Sequence, residues 1–304
     1  MKFSKSKTIL IISLIIAVGF CYSSVISKKK HFWMVLDNIN NPSKQTKTAK
    51  KTDAKALADL AFSYRYGKGV EINYEKSAQL YRQAADQNYA IAQYNLGLAY
   101  ERGIGILQNY TLASEWYLKA ANQGLPEAQV NLGSLYANGK GVPQDFLEAQ
   151  RWFLKAVEQN DPSAMYNLGF MYHNALGVPK DQVEALKWFL KAAHLNDMSA
   201  QNFLGGYYYQ GLGGLSINKE RAFEWFKKSA KQGYAIAQSN LGEAYENGWA
   251  TGGVNNKEAY AWYSIAAYHG CENAGLARKK LTKKMTPEEL MQANLIFKKY
   301  LLIY

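Results

Sequence analysis

The sequence predicts an all-α protein, a solenoid of about six helix-turn-helix repeats closed by a C-terminal capping helix. Three registers predict it. Leu followed by a small residue recurs at Leu60, Leu96, Leu132, Leu168, Leu204 and Leu241, with spacings of 36, 36, 36, 36 and 37. A Tyr stands four residues after each Leu: Tyr64, Tyr100, Tyr136, Tyr172, Tyr208 and Tyr245. An Ala follows the Leu by 17 or 18 residues, and three residues later comes an aromatic: Tyr81, Trp116, Trp152, Trp188, Trp225 and Trp262. Self-similarity at this period is the mark of stacked supersecondary units, none of which buries its apolar face alone.

Each unit reads as two helices. In repeat three, Pro126 opens helix A, which carries Ala128, Leu132, Leu135 and Tyr136 on one face. Gly139-Lys140-Gly141 ends it, because Gly accepts the left-handed backbone at low cost. Asp145 is the expected N-cap of helix B, with Glu148 as its capping-box partner, and Asp181 and Glu184 repeat the arrangement. Helix B carries Ala149, Trp152, Phe153 and Ala156. Gly133 and Ala149 let the two helices approach closely, and the Trp and Tyr columns are expected as core. Beyond Gly270 the pattern fades into a helix from Glu272 and a last helix, about 287–302, opened by Thr286, Pro287 and Glu289.

These residues resemble the SEL-one-like repeat, a branch of the tetratricopeptide-like α-solenoids. Repeat two shows the pattern from Ala92 through Leu96-Gly97 and Tyr100 to Ala113-Ser114-Glu115-Trp116-Tyr117-Leu118-Lys119-Ala120-Ala121. The resemblance covers about 53–304 and implies a right-handed α/α superhelix. Repeat one departs with Ala61 and Tyr81, and repeat four has Asn174-Ala175-Leu176-Gly177 at its break. Repeats five and six carry longer loops, at 211–216 and 248–255.

The first 52 residues lie outside the resemblance. Residues 8–27 hold no charge and are flanked by Lys2, Lys5 and Lys7 on one side and Lys28, Lys29 and Lys30 on the other. Twenty helical residues span roughly 30 Å, enough for a bilayer core. An uncleaved anchor with the solenoid outside the cytoplasm is expected, with a cleaved secretory signal as the alternative. Lysines on both flanks leave the orientation open. The organisation is therefore 1–30 anchor or signal, 31–52 polar basic linker, 53–270 repeats and 271–304 capping helices. Of the net charge of +12, residues 1–55 hold eleven Lys against Asp37 and Asp53. The basic character thus belongs to the tail, and nucleic-acid binding by the repeats is not expected.

Catalytic chemistry has little support. His31, His173, His194 and His269 show no ligand spacing, and Cys21 and Cys271 form neither a metal site nor a nucleophile motif. Gly211-Leu212-Gly213-Gly214 follows a helix and lacks the Lys-Ser/Thr of a phosphate loop. No cofactor or metal is expected. The informative surface is helix A, where Asp59, Asn95, Asn131, Asn167, Phe203 and Asn240 precede the repeat Leu. An Asn there offers both a donor and an acceptor to a peptide backbone; the alternative is a local bond that stiffens the stack. The candidate groove is Tyr94, Asn95, Leu98, Asn131, Ser134, Tyr166, Asn167, Phe170, His173, Tyr209 and Asn240, with Val130 beside them. The resemblance implies a non-catalytic adaptor holding a protein or peptide. Some secreted relatives are linked to β-lactam binding or hydrolysis, but they carry a Cys pair in each repeat, and repeats one to six here have none.

Overall fold

The structure is a computed structural model that describes residues 53–249 and 252–304. The expected anchor and linker, 1–52, lie outside the described residues. Fourteen helices and no strand occur among them, in the order α1 (Ala54–Tyr66), α2 (Tyr74–Ala85), α3 (Ala90–Arg102), α4 (Tyr110–Asn122), α5 (Pro126–Asn138), α6 (Phe146–Val157), α7 (Pro162–Asn174), α8 (Gln182–His194), α9 (Met198–Gln210), α10 (Lys219–Lys231), α11 (Ala235–Glu246), α12 (Asn256–Tyr268), α13 (Glu272–Thr282) and α14 (Pro287–Leu301). This is the all-α solenoid: six A–B pairs, then two capping helices. The chain divides into two compact units, one ending at Leu168 and the other running from Gly169 to Tyr304. In the first, each helix from α1 to α6 packs on the next. In the second, α8 to α13 do the same, and α14 returns onto α12.

The tight contact within a pair is a glycine against an aromatic ring. A Cβ on Gly133 would lie 2.7 Å from Phe153 Cε1 and 3.1 Å from the Ala149 carbonyl. Gly97 meets Tyr117 in the same way, Gly169 meets Phe189, Gly205 meets Phe226 and Gly242 meets Tyr263. The deepest aromatic column is therefore the residue after the Trp. Tyr117, Phe153 and Phe189 are fully buried, whereas Trp188 and Trp225 are only half-buried. The Trp column correspondingly carries a lysine on its open side. Lys119, Lys155, Lys191 and Lys228 lie 3.7, 3.8, 4.3 and 4.2 Å from the centroids of Trp116, Trp152, Trp188 and Trp225, in cation–π range.

The turn between helices has a fixed construction. The first Gly is the left-handed C-cap, at Gly67, Gly103, Gly139 and Gly211. The second abuts the preceding repeat, and a Cβ on Gly141 would lie 2.2 Å from the Tyr110 carbonyl carbon. In repeat four, Ala175 holds the left-handed conformation at φ 59. Helix B then opens on Asn73, Asn109, Asp145, Asp181, Asn218 or Asn255, whose side chain accepts from a backbone N–H two or three residues on. The reciprocal half of the expected capping box is not formed at Asp145 and Asp181. Their backbone N–H groups donate to the carbonyls of Tyr136 and Tyr172 instead, and Glu148 and Glu184 turn to Arg151 and Lys187. The full box forms at Thr286 and Glu289.

A buried glutamine ladder ties successive repeats inside each unit. Gln93, Gln129, Gln201 and Gln238 each donate to the carbonyl eight residues earlier. Their Oε1 atoms face Gln123, Gln159, Gln232 and His269, which stand 30 or 31 residues later. In repeat four the same two positions are Met165 and Leu195, both apolar.

Candidate functional site

Helix A sets the surface on which a partner is expected, and the expected residues lie in different surroundings. Tyr94 and Asn95 on α3 are half-buried, and Asn95 Nδ2 donates to the Ile91 carbonyl at 2.8 Å. Ser134 on α5 donates to the Val130 carbonyl. These two side chains thus make the local stiffening bonds named as the alternative. Leu98, Tyr166 and Phe170 are buried, which corrects the expectation that they lie on a face the core does not need. Leu98 and Phe170 stand three residues after Asn95 and Asn167, so one helix face carries both groove candidates and buried residues. Asn131 and Asn167 are buried as well. Asn131 Nδ2 lies beside the Tyr117 hydroxyl without reaching hydrogen-bonding geometry, and Asn167 has no partner for Oδ1 or Nδ2 among the described residues. Asn240 Nδ2 donates to Asn202 Oδ1 at 2.9 Å, one repeat back.

In the second unit, His173 is not a solvated residue. Its Nδ1 sits 2.8 Å from the Tyr207 hydroxyl and 3.1 Å from Gln182 Oε1, between Phe189, Phe203 and Tyr207. Burial lowers its pKa and raises that of Tyr207, so both are neutral near pH 7. His269 caps α12 and bonds Gln238. Tyr209 is exposed on one side and stacks on Trp249 on the other, ring centroids 4.5 Å apart. Among the described residues no cluster of His, Cys, Asp and Glu could hold a metal ion, and no helix is long and apolar enough to cross a membrane.

The sequence reading passed over the carboxylates of the first unit. Asp53 and Asp59 stand at and on α1, Glu101 on α3, Glu127 on α5 and Asp161 just before α7. Burial raises the Tyr94 hydroxyl pKa most, and Glu127, Glu101 and Asp161 add to this against a single opposing cation, Arg102. Burial and Asp53 likewise raise Asp59, opposed by Lys55. Tyr89 is raised by burial and by Asp59 and Asp53. Glu101 also accepts from the Tyr117 hydroxyl at 2.5 Å. These acids are scattered over four repeats and occupy no fixed column, so no periodic signal marks them.

A profile of the Sel1 repeat matches residues 54–89, 90–125, 126–161, 162–197, 199–234 and 235–271. The chain belongs to the Sel1 repeat family. The six matched segments coincide with the six A–B pairs, five of which close on a glycine–aromatic contact. Among solved structures, a Sel1 repeat protein from Oxalobacter formigenes is 32% identical over 81% of this chain and 96% of its own, with a TM-score of 0.67. Another, c5321, is a protective antigen present in uropathogenic Escherichia coli strains and displays an SLR fold. It is 28% identical over 84% of this chain and 62% of its own, with a TM-score of 0.51. No curated protein matches the chain. Sel1 repeat proteins are typically protein-interaction scaffolds.

Proposed function

We propose that the protein is a non-catalytic adaptor that holds a protein or peptide partner against its helix-A face and is tethered to a membrane through residues 8–27, with the repeats outside the cytoplasm. The observation that carries the reading is the polar character of that face within an otherwise apolar stack. Half-buried Tyr94 and Asn95 lie on it, and Asn131 and Asn167 sit in the same register. Asn side chains suit the alternating donors and acceptors of an extended backbone. The description of the E. coli relative as a protective antigen supports an extracytoplasmic location.

The test is partner capture by the full chain, cross-linked in membranes, against Tyr94→Ala with Asn95→Ala. Neither substitution opens a fully buried cavity, so the fold is expected to survive and a melting curve checks it. Loss of one aromatic anchor at an interface centre costs about 2 kcal/mol, roughly thirtyfold in affinity. A folded double variant that keeps its whole partner set would sink the assignment of this face. For the tether, the full chain is expected in the carbonate-washed membrane pellet. A wild type that is fully soluble while still beginning at Met1 would refute it.

A further inference from the structure

On the helix-A face of the second unit, repeat five lacks a side chain that the other repeats possess. Two residues after the repeat Leu stand Phe62, Leu98, Ser134 and Phe170 in repeats one to four, Gly206 in repeat five and Glu243 in repeat six. We propose that the notch at Gly206, walled by Tyr209 and Glu243, receives an arginine side chain of a protein partner. The site stands without the assignment of Tyr94 and Asn95 and rests on the adaptor reading only for the premise that the chain binds a protein.

The first ground is shape. Gly206 lies inside α9 with an ordinary negative φ, so no turn requires a glycine there. A Cβ on it would meet nothing within 4 Å, whereas one on Gly205 would overlap Phe226. Two contacts between α9 and the end of repeat six fix the register around this gap. On one side Asn240 Nδ2 donates to Asn202 Oδ1 at 2.9 Å, and these residues stand three before Glu243 and four before Gly206. On the other side Tyr209, three residues after Gly206 and so on the same helix face, stacks on Trp249. Their ring centroids are 4.5 Å apart and their planes 20° apart. Trp249 is buried and Tyr209 is 37% exposed, so the tyrosine ring is held from behind and open in front.

The second ground is charge. Glu243 is exposed, and its carboxylate has neither an ion pair nor a hydrogen bond among the described residues. It lies close enough to Tyr209 to act on the phenol hydroxyl. The next acid, Glu246, is already held by Lys284 and by the Tyr263 hydroxyl. The notch therefore offers one unpaired carboxylate beside the open side of an electron-rich ring. A guanidinium meets both at once, because it stacks flat on an aromatic face and presents a fork of N–H donors that fits a carboxylate. A lysine ammonium is a compact point charge and matches only the carboxylate. The third ground is the polar end of the notch. Asn240 is half-buried, and its Oδ1 has no partner among the described residues. That oxygen can accept from a backbone N–H of the segment that carries the arginine.

The experiment titrates the full chain in detergent with N-acetyl-arginine amide and reads the indole N–H resonance of Trp249, assigned by its loss in Trp249→Phe. A saturable shift with a dissociation constant on the order of millimolar is expected. N-acetyl-citrulline amide, of the same shape without the charge, should give none. Glu243→Gln should weaken the probe about tenfold. Gly206→Leu fills the notch with the residue that repeat two carries and should abolish binding without lowering the melting temperature, since Leu is the better helix former. Equal shifts from the citrulline probe, or unchanged binding by either variant, would overturn the site. Free arginine bound tenfold more tightly than the blocked form would make it an amino-acid site and overturn the protein partner. Capture of partners is measured beside it. A partner kept by Gly206→Leu but lost from Tyr94→Ala with Asn95→Ala overturns the role of the notch and leaves the adaptor reading standing. A partner lost from Gly206→Leu and kept by the other variant supports the notch and overturns the assignment of Tyr94 and Asn95.

Discussion

Two neighbouring glycines of α9 offer an internal control on how the repeats pack. Gly205 and Gly206 are both helical, with ordinary negative φ, and Ala is the better helix former at either site by about 1 kcal/mol. Their surroundings differ. A Cβ on Gly205 would lie 2.5 Å from both Cδ1 and Cε1 of Phe226 and 2.9 Å from Cγ, whereas one on Gly206 meets nothing within 4 Å. Carbon atoms rest about 3.5–4.0 Å apart, so Gly205→Ala forces an overlap of ~1 Å. Phe226 is buried and has no open side to swing into, so α9 and α10 must part. Overpacking of this kind costs about 1–3 kcal/mol, and after the gain in helix propensity a net loss of up to about 2 kcal/mol is expected. Gly206→Ala should gain about 0.5–1 kcal/mol. At about 2–4 °C per kcal/mol for a chain of this size, the two variants should melt about 5 °C apart, with Gly206→Ala above wild type and Gly205→Ala below it. Circular dichroism with urea and heat reads both. A Gly205→Ala protein as stable as wild type, or equal losses at the two positions, would refute the glycine–aromatic contact as the closure of each pair.

The remaining expectations concern turns and protonation. Ala175 sits at φ 59, a conformation costing an L-residue about 1–2 kcal/mol, so Ala175→Gly should stabilise by about 0.5–1 kcal/mol after the flexibility of Gly is counted. Urea midpoints check it. Gly141→Ala combines the left-handed φ with a Cβ 2.2 Å from the Tyr110 backbone, and a loss of about 2–4 kcal/mol is expected. Gly124→Ala, left-handed with open space around it, should lose only the backbone part, about 1–2 kcal/mol. His173 has a folded pKa below its unfolded value because it is buried. The unfolded chain then binds the proton more readily, so the stability due to neutral His173 is complete above pH ~6.5 and falls as pH drops from there toward the folded pKa. His173→Gln should flatten that slope between pH 5 and 7 in a series of urea melts.

The repeat register, both helices of each pair, the glycine breaks and the closing capping box were legible because each rests on a local signal repeated at a fixed period. Period alone did not separate two adjacent aromatics. Trp152 and Phe153 are both apolar and both in helix B, and only the position of Gly133 across the pair decides which is deeper. Nor did it separate groove from core on helix A. Asn95, Asn131 and Asn167 share a column, yet one bonds its own helix, one lies against a tyrosine and one is buried without a described partner. Asn95 turns to Ile91 on its own helix and Asn131 meets Tyr117 on the preceding one, a choice that a single helix wheel does not contain. The acids that act on Tyr94 escape a periodic reading because Glu101, Glu127 and Asp161 come from separate helices.

The glutamine ladder bears on a hazard peculiar to chains built of near-copies. Repeats that resemble one another present many wrong neighbours of almost the right shape, and an apolar seam alone tolerates a slipped or swapped pairing. Each buried Gln needs a carbonyl eight residues back and a matching amide or imidazole one repeat on. A slip by one residue would leave buried polar atoms orphaned at every rung, and such atoms are penalised more heavily than a loose methyl group. The ladder thus works as error detection during assembly, rejecting misaligned stacks that hydrophobic contact would accept. In the columns where repeat four carries Met165 and Leu195, that check is missing. Faulty pairing and exchange of helix pairs between copies should start there, and placing Gln at both positions is the change that would suppress them.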